Sequence, residues 1–157
     1  MVRGLEFSQY LNGQDETIKF AGRIGRQLKG GEMIELIGDL GTGKTTFVRG
    51  LVSGAGSSDH VSSPSFTIRN DYRVNDLLIA HFDFYRLDDP GIVKDMLAEE
   101  LDDSATTVVA EWATAVDDIL PIDRIRILFK VATNDGRWIK IDYPERFYYL
   151  FKGLGNQ

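Results

Sequence analysis

The residues best suited to chemistry stand together in one short stretch. Gly38-Asp39-Leu40-Gly41-Thr42-Gly43-Lys44-Thr45 fits the pattern G-x-x-x-x-G-K-[ST], in which glycines let the backbone curl so that successive N–H groups converge on a phosphate. In such a loop Lys44 reaches the β- and γ-phosphates as a point charge, and the Thr45 hydroxyl takes one position on Mg²⁺. A helix starting near Lys44, with Thr46 in its first turn, adds its positive end. A phosphate loop also needs a carboxylate for the metal and a group to position the attacking water. Glu111 follows the apolar run Val108-Val109-Ala110, and Asp83 ends the run Leu77 to Phe82 with Arg86 three residues on. Open α/β sheets collect their ligand groups at the carboxyl ends of strands, which favours both acids. The plainer alternative for each is a solvated acid capping a strand end.

The elements that must hold these groups are legible on either side of them. Ile18, Ala21, Ile24 and Leu28 at helical spacing predict a helix over about Asp15 to Leu28, capped by Asn12 or Asp15 and stopped by Gly30-Gly31. Met33 to Ile37 reads as a strand, and Phe47, Val48, Leu51 and Val52 as a helix ending at Gly54 and Gly56. Phe66 to Tyr72 and Leu77 to Phe84 read as strands close enough to pair. Asp88 to Asp103 carries an apolar helical stripe with a charged outer face, and Thr106 to Ala110 is a further strand. Arg124 to Val131 and Arg137 to Tyr143 flank Thr133-Asn134-Asp135-Gly136, a turn that predicts a closing hairpin. Helices interleaved with strands predict an α/β layered sheet. The expected organisation is one unit over 1–152 with a loose tail at 153–157.

Composition narrows the function classes. At 157 residues the chain holds about one core. Zero cysteines exclude disulfides, thiolate metal sites and cysteine nucleophiles, and two histidines leave little for an all-histidine metal site. Any metal would be a hard ion held by oxygens. A formal charge of -6 argues against a broad grip on nucleic acid backbone. With no long apolar span and no apolar block in MVRGLEFSQYLNGQ, a cytoplasmic protein is expected.

Four motifs, GDLGTGKTTFVRG, SSPSF (62–66), HFDFYRL (81–87) and AEW (110–112), occur in an order and spacing that resembles the bacterial TsaE (YjeE) P-loop ATPases. The resemblance covers about half the chain. It implies an ATPase that works with TsaB and TsaD in making N6-threonylcarbamoyladenosine, the modified base beside the anticodon of some tRNAs. It further implies that Lys44 is the phosphate lysine and Thr45 the magnesium hydroxyl. Asp83 and Glu111 correspond to the acids of the magnesium and water site, and Trp112 to the aromatic beside the nucleotide. The family's loop usually reads S-P-T-F, whereas this chain has Ser65, which keeps the hydroxyl but loses the methyl; Thr67 is an alternative donor. Packing in the core is an equal alternative for Trp112, and packing below the site is the expectation for His81 and Tyr85. The loop 62–66 and the acidic segment 88–103 are expected to sense whether ATP or ADP is bound.

Two other classes fit less well. A small P-loop kinase of a nucleoside or metabolite needs an arginine-rich lid, and no arginine cluster follows the loop at lid spacing. A nucleotide-binding module without hydrolysis remains the second alternative. A GTPase would carry N-K-x-D, and the nearest string, Thr133 to Gly136, lacks the lysine.

Overall fold

The computed structural model describes residues 4–64, 66–87 and 89–155. Its centre is β2 (Met33–Ile37), whose alternating contacts are buried on both faces. Parallel strands lie on each side: β5 (Thr106–Glu111) and β6 (Ile125–Val131). β4 (Leu77–Asp83) continues the parallel set beside β5. Antiparallel strands close the edges, with β3 (Arg69–Val74) on β4, β7 (Gly136–Pro144) on β6 and β1 (Gly4–Asn12) on β7. The result is one seven-stranded sheet, order β1-β7-β6-β2-β5-β4-β3. All six residues of β5 are buried, as a strand covered on both faces requires.

Each face carries its own core. Residues of α1 (Gln14–Gly25), α2 (Lys44–Ala55) and α4 (Tyr148–Phe151) share one cluster with Ile34, Leu36 and Val109. On the opposite face, α3 (Gly91–Asp102) and a 3-10 helix over Ala113–Ile119 pack on Met33, Phe82 and Ala110. Glycines set the spacing of α1 against α2: a Cβ on Gly54 would come within 2.2 Å of Gly22 O. That close approach fixes α2, and with it the phosphate loop at its N-terminus.

The expected layered sheet and closing hairpin are present, with Asn134 and Asp135 both at positive φ in the turn. Several boundaries differ for local reasons. α1 ends at Gly25 instead of Leu28, because the chain tightens there into Gln27 N–H to Ile24 O and Leu28 N–H to Gly25 O bonds. This turn brings Lys29 N–H and Gly30 N–H, each at 2.8 Å, onto the buried Glu32 carboxylate. Neither Asn12 nor Asp15 caps α1. Gly13 (φ 89) occupies the cap, and Glu16 accepts from Asn12 N–H at 2.6 Å. β3 begins at Arg69, because Ile68 at φ 69 donates its N–H to Pro64 O and turns the chain before the strand can start. β1, an edge strand of alternating burial, and the 3-10 helix after Trp112 were not anticipated. Within the stretch expected as a tail, Leu154 lies in the core. Among the described residues no helix is long and apolar enough to cross a membrane.

Candidate nucleotide site

The sheet places the two acids by register. Asp83 and Glu111 are the last residues of adjacent parallel strands and are directly paired, and Glu111 is also level with Leu36 at the end of β2. Side chains alternate along a strand, so His81 lies on the same face as Asp83. That face is the one covered by α2, whose first residue is Lys44.

The loop between β2 and α2 has the geometry its glycines require. Gly38, Gly41 and Gly43 take φ values of 158, 76 and 106, and the Thr42 hydroxyl donates to Asp39 O at 2.8 Å. Lys44 is buried. Its ammonium donates to Gly38 O and Asp39 O and lies 4.4 Å from the centre of the Trp112 ring. Burial pushes the Lys44 pKa below the ordinary lysine value, against the opposing attraction of Glu111, Asp83 and Asp39. An anion entering here would meet a poorly solvated cation.

One cavity of about 260 Å³ gathers Gly41, Gly43, Lys44, Thr45, Thr46, Ser63, Asp83, Glu111, Trp112 and Arg137, with Gln14 and Leu40 at its mouth. Of the predicted loop residues, Gly38, Asp39 and Thr42 lie outside this lining; Gly38 and Asp39 accept from Lys44 through their carbonyls, and the Thr42 carbonyl accepts from Arg137. Asp83 accepts from Tyr85 N–H at 2.9 Å, and Glu111 shares a 2.6 Å bond with His81. Trp112 takes φ 54, a left-handed conformation costly for a bulky residue, and thereby turns its ring into the cavity rather than the core. The ring packs on Tyr85 with centroids 4.8 Å apart. Tyr85 is therefore a half-exposed neighbour of the site and does not pack below it. His81 is fully buried below the site, as expected, but also bonds to a site acid. Ser65 lies outside the described residues. Thr67 does not line the cavity; its hydroxyl bonds to Asn70 at 3.1 Å.

The donors at this cavity are hydroxyl and carboxylate oxygens, which suit a hard cation such as Mg²⁺. Among the described residues no group of three or more histidines and acids could itself enclose a metal. A Mg²⁺ site with few protein ligands, completed by phosphate oxygens and water, fits this donor set.

The family model described as "Threonylcarbamoyl adenosine biosynthesis protein TsaE" matches residues 11–139. The chain belongs to the TsaE family. Among TsaE relatives, a Bacillus subtilis protein is 36% identical over 125 residues, covering 80% of this chain and 78% of its own. A Rickettsia prowazekii relative is 30% identical over 142 residues, with 90% and 97% covered. Both are named tRNA threonylcarbamoyladenosine biosynthesis protein TsaE. The crystal structure of Bacillus subtilis YdiB superimposes with a TM-score of 0.75 at 32% identity, covering 96% of this chain and 93% of that one. The TsaE fold thus carries the phosphate loop in this chain, and nucleotide binding follows from loop and fold together.

The bond of His81 to Glu111, and the presence of Arg137 and Gln14 at the cavity, were not evident from the sequence. The bond from His81 to Glu111 had a signal, since His81 stands two residues before Asp83 on one strand. Arg137 had none, because nothing local in β7 indicates that it lies over the phosphate loop.

Proposed function

We propose that the protein binds ATP with Mg²⁺ and hydrolyses it slowly by itself, in service of tRNA threonylcarbamoyladenosine formation with TsaB and TsaD. The observation that carries this reading is the convergence of Lys44, Thr45, Asp83 and Glu111 on one cavity at the N-terminus of α2. The backbone N–H groups of the loop hold the β-phosphate, and Lys44 exchanges its carbonyl partners for β- and γ-phosphate oxygens. Thr45, Asp83 and Glu111 are the residues that would hold Mg²⁺, which would supply neutralisation of the phosphate charge. Glu111, fixed by His81, orients the attacking water and accepts its proton. Water adds to the γ-phosphorus, the bond to the ADP oxygen breaks, and phosphate and ADP leave.

The cavity is lined by the phosphate loop, the two acids and Trp112 together with Gln14, Ser63 and Arg137, and no arginine cluster follows the loop at the spacing of a kinase lid. That favours water as the acceptor, with the use of the energy falling to partner proteins. Phe66, on the loop that brings Ser63 to the cavity, and Ile92 and Met96 on α3 are exposed, which supports docking of a partner on these segments. The test is phosphate release by the purified protein with and without TsaB and TsaD. Stimulation by the pair, lost on combining Asp95→Lys with Glu99→Lys on α3, is the expected result. Rapid transfer of phosphate to a small metabolite by the protein alone would overturn it in favour of a kinase.

A further inference from the structure

Arg137 reaches the nucleotide cavity from the side of the sheet opposite the two acids. It sits on β7, level with Leu11 of β1 and Val131 of β6. β7 lies two strands from β2 in one direction, whereas β5 and β4, which carry Glu111 and Asp83, lie in the other. The guanidinium covers Gly43 so closely that a Cβ there would stand 1.8 Å from Nη1.

Its own partners are weak. Nη1 donates to Thr42 O at 3.3 Å and Nη2 to Asp135 O at 3.5 Å, both long for hydrogen bonds. Nε is buried with no hydrogen-bond partner among the described residues. None of the ion pairs among the described residues includes Arg137. A guanidinium offers five donors in a planar fork suited to phosphate, and a buried donor left unmade is costly. The same cavity holds Lys44 and Thr46. The γ-phosphate end is marked by Asp83, Glu111 and Trp112, so the guanidinium faces the nucleoside end.

We propose that Arg137 binds the α-phosphate of the nucleotide, completing from β7 the grip that Lys44 makes on the β- and γ-phosphates. The inference rests on the nucleotide-binding reading above. An interaction at the α-phosphate does not change during attack on the γ-phosphorus, so Arg137 contributes equally to ground state and transition state. Its loss raises KM and leaves kcat in place.

The experiment measures ADP affinity by calorimetry and steady-state hydrolysis for wild type, Arg137→Met, Arg137→Lys and Lys44→Ala. Arg137→Met is expected to raise the ADP Kd and the ATP KM by about tenfold, the scale of a charge-assisted hydrogen bond, with kcat at saturation unchanged. Arg137→Lys is expected to recover part of the loss, since it keeps the charge and not the fork. The nucleotide-free melting temperature is expected to stay at the wild-type value. Wild-type ADP affinity in Arg137→Met, with Lys44→Ala impaired, would overturn the inference and leave the nucleotide site standing. A fall in kcat and in nucleotide-free melting temperature would also overturn it, making Arg137 a clamp on the loop. Wild-type affinity in Lys44→Ala would remove the nucleotide reading itself and this inference with it.

Discussion

His81 Nε2 and Glu111 Oε2 lie 2.6 Å apart, and both side chains are almost wholly shielded from water. The relationship follows from β4 and β5 running parallel, with His81 level with Val109 and Glu111 two residues beyond it. A buried carboxylate needs partners, and with Oε2 tied to the imidazole the group is held toward the cavity at a fixed angle. The second ring nitrogen, Nδ1, is buried with no partner among the described residues. Nε2 is therefore the ring nitrogen that engages the acid.

Removing that orientation is expected to act on turnover before affinity. His81→Gln should slow hydrolysis roughly 10–100-fold, the usual cost of losing a group that orients a site ligand, with ADP affinity close to wild type. Chemical denaturation should report a loss of about 1–3 kcal/mol. Unaltered turnover in a folded variant would make His81 a packing residue only.

The acids themselves are expected to split hydrolysis from binding. Glu111→Ala and Asp83→Ala should each lower phosphate release by roughly 10²–10⁴-fold, as the proposed action of both acids on water and metal requires. In the proposed binding mode ADP is held mainly by loop amides and Lys44, so its Kd should change little. An Asp83→Ala protein with wild-type turnover, alone and with partners, would reduce Asp83 to a strand cap for Tyr85.

Most of this site was readable in the chain because it is local or periodic. Gly38 to Thr45 is contiguous, and the strand and helix around it are marked by apolar runs of the right period. Glu111 and Asp83 could be placed because each ends an apolar strand. What lay hidden depends on partners distant in sequence. Arg137 needs the order of the strands, since its loop partner Thr42 is 95 residues away. β1 was missed because an edge strand half open to water, with Glu6, Ser8 and Gln9 between its apolar residues, has the composition of a surface loop. The inward turn of Trp112 was open until its backbone angle was known, since a tryptophan after a buried strand fits core packing equally well.

The seating of α2 gives a prediction about stability. Gly54→Ala would put a methyl group 2.2 Å from Gly22 O, a backbone atom that cannot swing aside. Either α1 or α2 must shift, at a cost of about 1–3 kcal/mol for overpacking. For a chain of this size that lowers the melting temperature by roughly 2–4 °C per kcal/mol. Because α2 carries Lys44 and Thr45, ADP affinity should fall as well. A melting curve identical to wild type would show that the two helices have slack between them.

Trp112 should report the nucleotide directly. The Lys44 ammonium stands 4.4 Å from its ring centre, and phosphate should draw that ammonium away toward the loop. The only other tryptophan, Trp138, is half exposed and packs on Tyr10 with ring centroids 5.3 Å apart. Trp138→Phe therefore leaves a single indole at the site. In that background, Mg-ADP should change the Trp112 fluorescence saturably, with a midpoint equal to the Kd from calorimetry. Adding Lys44→Ala should change the nucleotide-free emission, because the cation over the ring is gone, and should shift the titration to higher ADP. A flat titration in Trp138→Phe, with ADP binding confirmed by calorimetry, would mean that the ammonium keeps its place over the indole, and that Lys44 does not move to the phosphates.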